Sequence, residues 1–115
     1  MKKYLLLLHD EIESIKKLSP KEMEDLIQAH MAWAEDLAKN NLLIEGEGLE
    51  EKSILITGKE ATVKDGSFLE AREMIGGFYY LQAESLENVI EIAKACPCHL
   101  WGGTTEIRPI AAYEG

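Results

Sequence analysis

His30 is the residue whose type and position say most about chemistry in this chain of 115 residues. It continues an apolar repeat at helical spacing that is formed by Leu26, Ile27, Ala34 and Leu37. Since side chains three and four residues apart share a helix face, His30 is predicted on the buried stripe of a helix. It is then either a general acid or base whose pKa is set by burial, or a core histidine held by one hydrogen bond. The second case is the commoner one for a single histidine.

A second group of polar side chains lies near the C-terminus. Thr104, Glu106 and Arg108 alternate along a predicted strand, so they share one face of it. Arg108 can bind a carboxylate or phosphate through its fork of donors, with Glu106 completing a polar substrate-binding cavity. The same two residues can instead form an exposed ion pair at an uncovered rim of the sheet, and both interpretations stay open.

Two further residues are candidates for substrate binding. His9 ends the first predicted strand, where a site is reasonable, although a solvated turn histidine is the commoner case. Tyr79 and Tyr80 are adjacent and point to opposite faces of a strand. Tyr80 is the aromatic that we expect to pack on a substrate ring, while most aromatics in such a strand are core residues.

The segment Cys96-Pro97-Cys98-His99 brings three potential metal ligands together. A structural zinc site needs about four ligands, usually as two separated pairs, and the sequence has no second cluster. No metal is therefore predicted, and Cys96 is expected to be a small buried residue on the second helix. The sequence has no phosphate-binding loop, dinucleotide-binding glycine motif or nucleophile elbow, so no cofactor is predicted.

The composition limits the partners and the compartment. Twelve basic residues against twenty-one acidic ones give a net charge of −9, which disfavours nucleic acid and anionic membranes as partners. A small anionic or aromatic ligand remains open. The apolar run Tyr4–Leu8 is too short for a signal peptide or a membrane span. The two cysteines are nearly adjacent and form no disulfide framework, so a cytoplasmic location is expected.

The elements that must position these residues follow from periodicity and turn signals. Strands are predicted at 3–9, 42–49, 53–57, 61–64, 77–83 and 104–110. A helix is predicted at 20–40, where Ser19-Pro20-Lys21-Glu22 forms a capping box, and another between Ser85 and Pro97. Residues 67–75 are predicted to be a loop with one helical turn.

This order predicts a single α+β domain over residues 1–115. Its architecture is a ferredoxin-like βαββαβ sandwich with an extra β-hairpin at 53–64. Both helices cover the same face of the sheet, while the other face keeps apolar residues. A second copy of the sheet is the simplest cover, so a homodimer is expected.

Four stretches carry a resemblance to a known family, and they are Val63–Phe68, Ile75–Leu81, Ala95–Pro97 and Glu106–Ile110. In order and spacing the chain resembles the YCII-related family from residue 5 to residue 110. It resembles more narrowly the DGPF-domain branch, with Asp65-Gly66-Ser67-Phe68 carrying serine in place of the motif's proline. The resemblance implies a ferredoxin-like fold that assembles as a dimeric α/β barrel.

The resemblance also implies site residues. In some members a histidine of the first helix and an aspartate near the end of the second are proposed as a catalytic dyad. His30 matches the histidine, whereas Cys96 stands at the aspartate position. The family includes a dehydrochlorinase that acts on a chlorinated hydroquinone, and its DGPF branch includes domains associated with extracytoplasmic-function sigma factors.

Three hypotheses for function follow. The first is an enzyme of lyase or isomerase type, with His30 as acid or base, Arg108 holding an anionic substrate and Tyr80 packing on it. The second is a regulatory or accessory dimer that binds a ligand in the same cleft without turnover. The third is a protein-interaction module. The cysteine at the dyad position weakens the first, and the polar face of Glu106 and Arg108 favours the first two over the third.

Overall fold

The computed structural model describes residues 1–66 and 73–112. Six strands are present in this part of the chain: β1 Lys2–Glu11, β2 Leu43–Gly48, β3 Ile54–Thr57, β4 Thr62–Asp65, β5 Glu73–Ala83 and β6 Thr104–Pro109. The α-helices are α1 Ile12–Lys16, α2 Pro20–Lys39 and α3 Leu86–Lys94. A short 3₁₀-helix, Pro97–Trp101, precedes β6.

The main sheet has four antiparallel strands in the order β2-β5-β1-β6. Alternate residues of β1 and β5 form one face of the core, and α2 and α3 cover that face. The buried apolar side chains from these elements are Tyr4, Leu6, Leu8, Leu37, Tyr79, Leu81, Ala83, Val89 and Ala93. The α+β, ferredoxin-like fold predicted from the sequence is therefore confirmed.

The start of α2 lies where its sequence predicts. The Ser19 side chain accepts a hydrogen bond from the Glu22 backbone N–H, and the Glu22 side chain accepts one from the Ser19 N–H. Pro20 occupies the first turn, where its missing N–H has no partner to lose. This reciprocal cap fixes where the helix that carries His30 begins.

Two elements differ from the sequence prediction. β1 continues to Glu11 and runs directly into α1, a helix that was not predicted. β5 begins at Glu73, so the loop expected over 67–75 is wrong from residue 73 onward, and residues 67–72 lie outside the described residues. Met74 and Ile75 extend the strand because they pair with Asp10 and His9 beyond a bulge in β5 at Gly76. Such a distant partner leaves no local signal in the sequence.

The predicted hairpin is confirmed, and it forms a two-stranded sheet of its own. Its turn places Gly58 and Ala61 at positive φ angles of 76° and 53°. Ile54, Ile56 and Val63 are more than half exposed on it. The hairpin therefore stands apart from the core that positions the site.

Candidate functional site

A cleft of about 400 Å³ opens between α2 and the helix-facing side of β1, β2 and β5. Apolar side chains from the helix and two strands form much of its wall: Leu8, Leu26, Ile27, Met31, Ala34 and Leu43. The other lining residues in the described part of the chain are Gly46, Gly48, Gly76 and Gly77 together with Asp10, His30, Glu47 and Tyr79. The cleft is thus mostly apolar, with a few polar groups, as small-molecule sites commonly are.

The glycines of β2 and β5 create the open space. A Cβ atom at Gly46 would lie 2.7 Å from Tyr79 Cδ1, and one at Gly77 would lie 2.9 Å from the Glu47 carbonyl oxygen. No side chain from these positions fills the space in front of α2. As a result Ile27, predicted on the buried stripe, is 52% exposed, which corrects that prediction. The stripe is fully buried only at Leu37, nearer the C-terminal end of α2.

His30 is held in place by Tyr79. His30 Nδ1 lies 2.9 Å from Tyr79 Oη, and the two rings are nearly parallel, 14° apart. Trp33 packs edge-on against Tyr79, with ring centroids 5.0 Å apart. The fixed phenol therefore orients the imidazole at the wall of the cleft. Tyr79 gave no signal of this role in the sequence, because an aromatic in a strand is usually core.

Burial sets the protonation of this pair. Desolvation lowers the pKa of His30 from its ordinary value of 6.5. Desolvation also raises the pKa of Tyr79 to about 12, and the thiols of Cys96 and Cys98 add to the rise. At neutral pH the site therefore contains a neutral imidazole bonded to a neutral phenol.

Asp10 contributes a carboxylate to the same cleft that His30 lines, and sequence reasoning did not assign it a role. It follows Leu6 and Leu8 in the alternation of β1, which was the available signal for its place on the helix-facing side. Its carboxylate lies across Gly76, where a Cβ atom would overlap Oδ2. Burial raises the pKa of Asp10, and His9 partly opposes the rise. The half-buried carboxylate is therefore poorly stabilised as an anion.

The other predicted site residues lie together on the opposite face of the sheet. Register aligns Leu5 with Tyr80 and with Arg108, and Leu7 with Glu106. On this open face His9 Nε2 lies 2.7 Å from Glu106 Oε1, and Arg108 Nη1 lies 3.7 Å from Glu106 Oε2.

The sheet consequently separates His30 from the four residues expected to bind substrate with it. His9, Tyr80, Glu106 and Arg108 share one face, whereas His30 lines the cleft on the other. Arg108 is not among the residues that line the cleft, so it is not the group that meets a ligand there.

The cysteine segment belongs to the core. Cys96 and Cys98 are each 2% exposed and free, which confirms that Cys96 is buried. Its expected place on the second helix is wrong, because α3 ends at Lys94 and Cys96 directly precedes the 3₁₀-helix. Their side chains hydrogen-bond to each other, which lowers the pKa of Cys96 and raises that of Cys98. His99 is close to the backbone oxygens of Ala93 and Gly103, at 3.2 and 3.1 Å. The cleft therefore receives no carboxylate from position 96, where the resemblance implies an aspartate.

Comparison with known proteins identifies the family of this chain. The sequence profile described as the YCII-related domain matches residues 2–113. The chain belongs to the YCII-related family. A relative from Rhizobium meliloti (strain 1021), described as an uncharacterized protein, is 34% identical over 56 residues. That alignment spans 48% of this chain and 45% of the relative.

Two further points follow for this YCII-related chain. The finer resemblance to the DGPF branch stays a prediction, and Ser67 and Phe68 of its motif lie outside the described residues. In residues 1–66 and 73–112, the longest helix is too polar to cross a lipid bilayer.

Proposed function

We propose that this YCII-related chain binds a small organic molecule in the cleft and transfers a proton on it through His30, in a reaction of lyase or isomerase type. The observation that carries the proposal is the bond between His30 Nδ1 and Tyr79 Oη at the wall of a cleft of about 400 Å³. A histidine held this way is positioned before a ligand arrives, which general acid–base catalysis requires.

The proposed chemistry uses the neutral form of His30. In the tautomer that this step needs, His30 Nδ1–H donates its hydrogen bond to Tyr79 Oη, so Nε2 is unprotonated and is the ring nitrogen that remains for a ligand. It takes a proton from a carbon next to an electron-withdrawing group, and the electron pair of the broken C–H bond forms a double bond to the neighbouring carbon. In a lyase reaction a leaving group departs from that neighbouring carbon with its bonding electrons. In an isomerase reaction the electron pair of the electron-withdrawing group's own double bond moves onto its heteroatom, and the His30 imidazolium later returns the proton at a different carbon. The Asp10 carboxylate in the same cleft stabilises the imidazolium that results.

The second candidate function is ligand binding in the same cleft without turnover, in a regulatory or accessory role. The observation that favours it is Cys96, a buried residue at the position where the resemblance implies an aspartate. Because both candidates need the cleft, one experiment must test binding and a second must test turnover.

A thermal-shift screen tests binding. The parent is screened against small aromatic and carbonyl-containing metabolites, since a ligand that binds only the folded state raises the melting temperature. We expect His30→Gln to lose the shift and His9→Gln, on the opposite sheet face, to retain it. A shift lost with His9→Gln and kept with His30→Gln would place the ligand on the open face and contradict the proposal.

Turnover is tested with a ligand from that screen. In deuterated water, proton transfer by His30 exchanges a carbon-bound hydrogen of the ligand or eliminates a leaving group, and NMR of the ligand detects both. We expect the parent to do so and His30→Gln to lose at least about a hundredfold in rate, which is the usual contribution of a general base. Binding without exchange or elimination would establish the second candidate.

We also propose that the open face of the sheet pairs with a second copy of the chain. Leu5, Leu7, Phe78 and Tyr80 are only partly buried there, and no helix of the described chain covers them. Apolar side chains on one continuous face are stabilised when a partner removes them from water. The proposed location is the cytoplasm, where thiols such as Cys96 and Cys98 stay reduced.

A further inference from the structure

We propose that the ligand of the cleft is planar, neutral or positively charged, and donates a hydrogen bond to Asp10, while carboxylates are rejected. This inference rests on the proposed function and names the class of molecule that the same cleft accepts. It replaces the anionic substrate that Arg108 suggested, because Arg108 lies on the other face of the sheet.

The shape of the cleft supports a planar ligand. Gly48 lines it, yet a Cβ atom there would meet nothing nearer than the Gly76 carbonyl oxygen at 4.0 Å. Its φ angle is not positive, so the backbone does not require glycine either. Among the residues that the structure describes, the space left by the missing Gly48 side chain therefore belongs to the cleft and is not filled by a neighbouring side chain.

The opposite wall completes a slot. Ile27 and Met31 of α2 face it and remain 52% and 67% exposed. A flat ring between the bare backbone of β2 and these apolar side chains would bury both of its faces.

Charge supports a ligand that donates a hydrogen bond. Within the described part of the chain, the Asp10 carboxylate has no close hydrogen bond or ion pair, and the His9 imidazole only partly opposes the rise in the pKa of Asp10 that burial causes. Among the described lining residues there is no lysine or arginine, and His30 is neutral. A carboxylate ligand would meet Asp10 without a lysine or arginine among the described lining residues to compensate the charge, whereas a donor would form a charge-assisted hydrogen bond with Asp10.

The test compares three probes that share one aromatic ring: benzamidine, phenol and benzoate. Each is titrated at millimolar concentration into the ¹⁵N-labelled protein, and the shifts of the Gly48, Gly77 and Tyr79 amide signals report binding in the cleft. We expect benzamidine to bind tightest, phenol next and benzoate weakest. The spread should be about 10- to 100-fold, the usual effect of a hydrogen bond to a charged group.

Two variants separate charge from shape. Asp10→Asn should remove the advantage of benzamidine over phenol. Glu45 is an exposed carboxylate that does not line the cleft, so the control variant Glu45→Gln should leave the order of the three affinities unchanged. Gly48→Ala should weaken benzamidine and phenol together without lowering the urea midpoint of unfolding, because no atom of the described residues, its chain neighbours aside, lies closer than 4.0 Å to the added methyl group.

The outcomes are distinguishable. Benzoate binding tightest in the cleft, or full binding by Gly48→Ala, would overturn this inference while the proposed binding function stands. If none of the three probes moves the cleft amide signals, the proposed function fails and this inference fails with it.

Discussion

His30 and Tyr79 show how one hydrogen bond can decide the character of a site. Tyr79 is buried and keeps its proton well above neutral pH, so its hydroxyl is a permanent partner for His30 Nδ1. Burial disfavours the imidazolium, and His30 therefore remains a base at neutral pH. The same burial makes the stability of the fold depend on pH at this residue.

Stability at acid pH is the first prediction at the residue scale. Between 6.5, the ordinary pKa, and the lower folded pKa of His30, the unfolded chain binds a proton that the folded chain does not. The parent should therefore lose unfolding free energy relative to His30→Gln as the pH falls from about 8 to about 5. Urea denaturation of both proteins across this range measures the difference. A difference that stays constant with pH would contradict a lowered His30 pKa.

Asp10 gives the second prediction at this scale. Its pKa is raised in the folded state, so the ionised carboxylate opposes folding at neutral pH. Asp10→Asn keeps the shape of the side chain across Gly76, and we expect it to raise the unfolding free energy by up to about 1 kcal/mol. The gain should shrink as acid protonates the parent's carboxylate. Loss of stability in Asp10→Asn at neutral pH would show that the carboxylate has a favourable partner.

At the scale of elements, the cleft exists because β2 and α2 do not close upon each other. Gly46 leaves room for the Tyr79 ring, which in turn reaches His30 on the helix. Gly48, two residues later, leaves room that nothing in the described chain fills. β2 thus makes room both for the Tyr79 ring that contacts His30 and for the ligand proposed in the cleft.

The third prediction separates these two glycines. In Gly46→Ala the new Cβ would lie 2.7 Å from Tyr79 Cδ1, so the ring must move, and we expect a loss of about 1–3 kcal/mol of stability. Gly48→Ala is the matched control on the same strand and should be neutral or slightly stabilising. Urea denaturation measures both, and NMR of His30 reports the lost contact in Gly46→Ala. Equal stabilities for the two variants would contradict this assignment.

At the scale of the whole molecule, the two faces of the sheet have different surroundings. One is covered by α2 and α3 and contains the core and the cleft. The other presents apolar residues of β1 and β5 next to the polar row His9, Glu106 and Arg108. The Glu106 carboxylate lies between His9 and Arg108 and is close to both. Because charged groups that are paired can be buried, a partner chain could cover this row.

Assembly is the prediction at this scale. Light scattering should give the mass of two chains, because pairing of the open faces removes Leu5, Leu7, Phe78 and Tyr80 from water. Leu7→Arg adds a charge at the centre of that face and should give monomers at the same concentration. Ile56→Arg, on the separate hairpin where Ile56 is 66% exposed, is the control and should leave the mass unchanged. A monomeric parent would contradict the proposed dimer.

Much of the fold was decided by local patterns in the sequence. The run Tyr4–Leu8 specified a central strand, and the capping box at Ser19 specified the start of α2, because both signals arise from neighbouring residues. Alternation placed Glu106 and Arg108 on one face, since the period of a strand is fixed by its backbone. The family resemblance likewise followed from motifs and their order.

The site was decided only by the tertiary structure. Tyr79 and His30 are 49 positions apart in the sequence. Their hydrogen bond depends on the register of β5 against β1 and on the packing of α2 over both strands. The place of Asp10 beside the cleft, and of Arg108 behind the sheet, depends on the same register. Sequence spacing gives the face of each element, but which faces meet is set by burial of the whole core, which no local pattern contains.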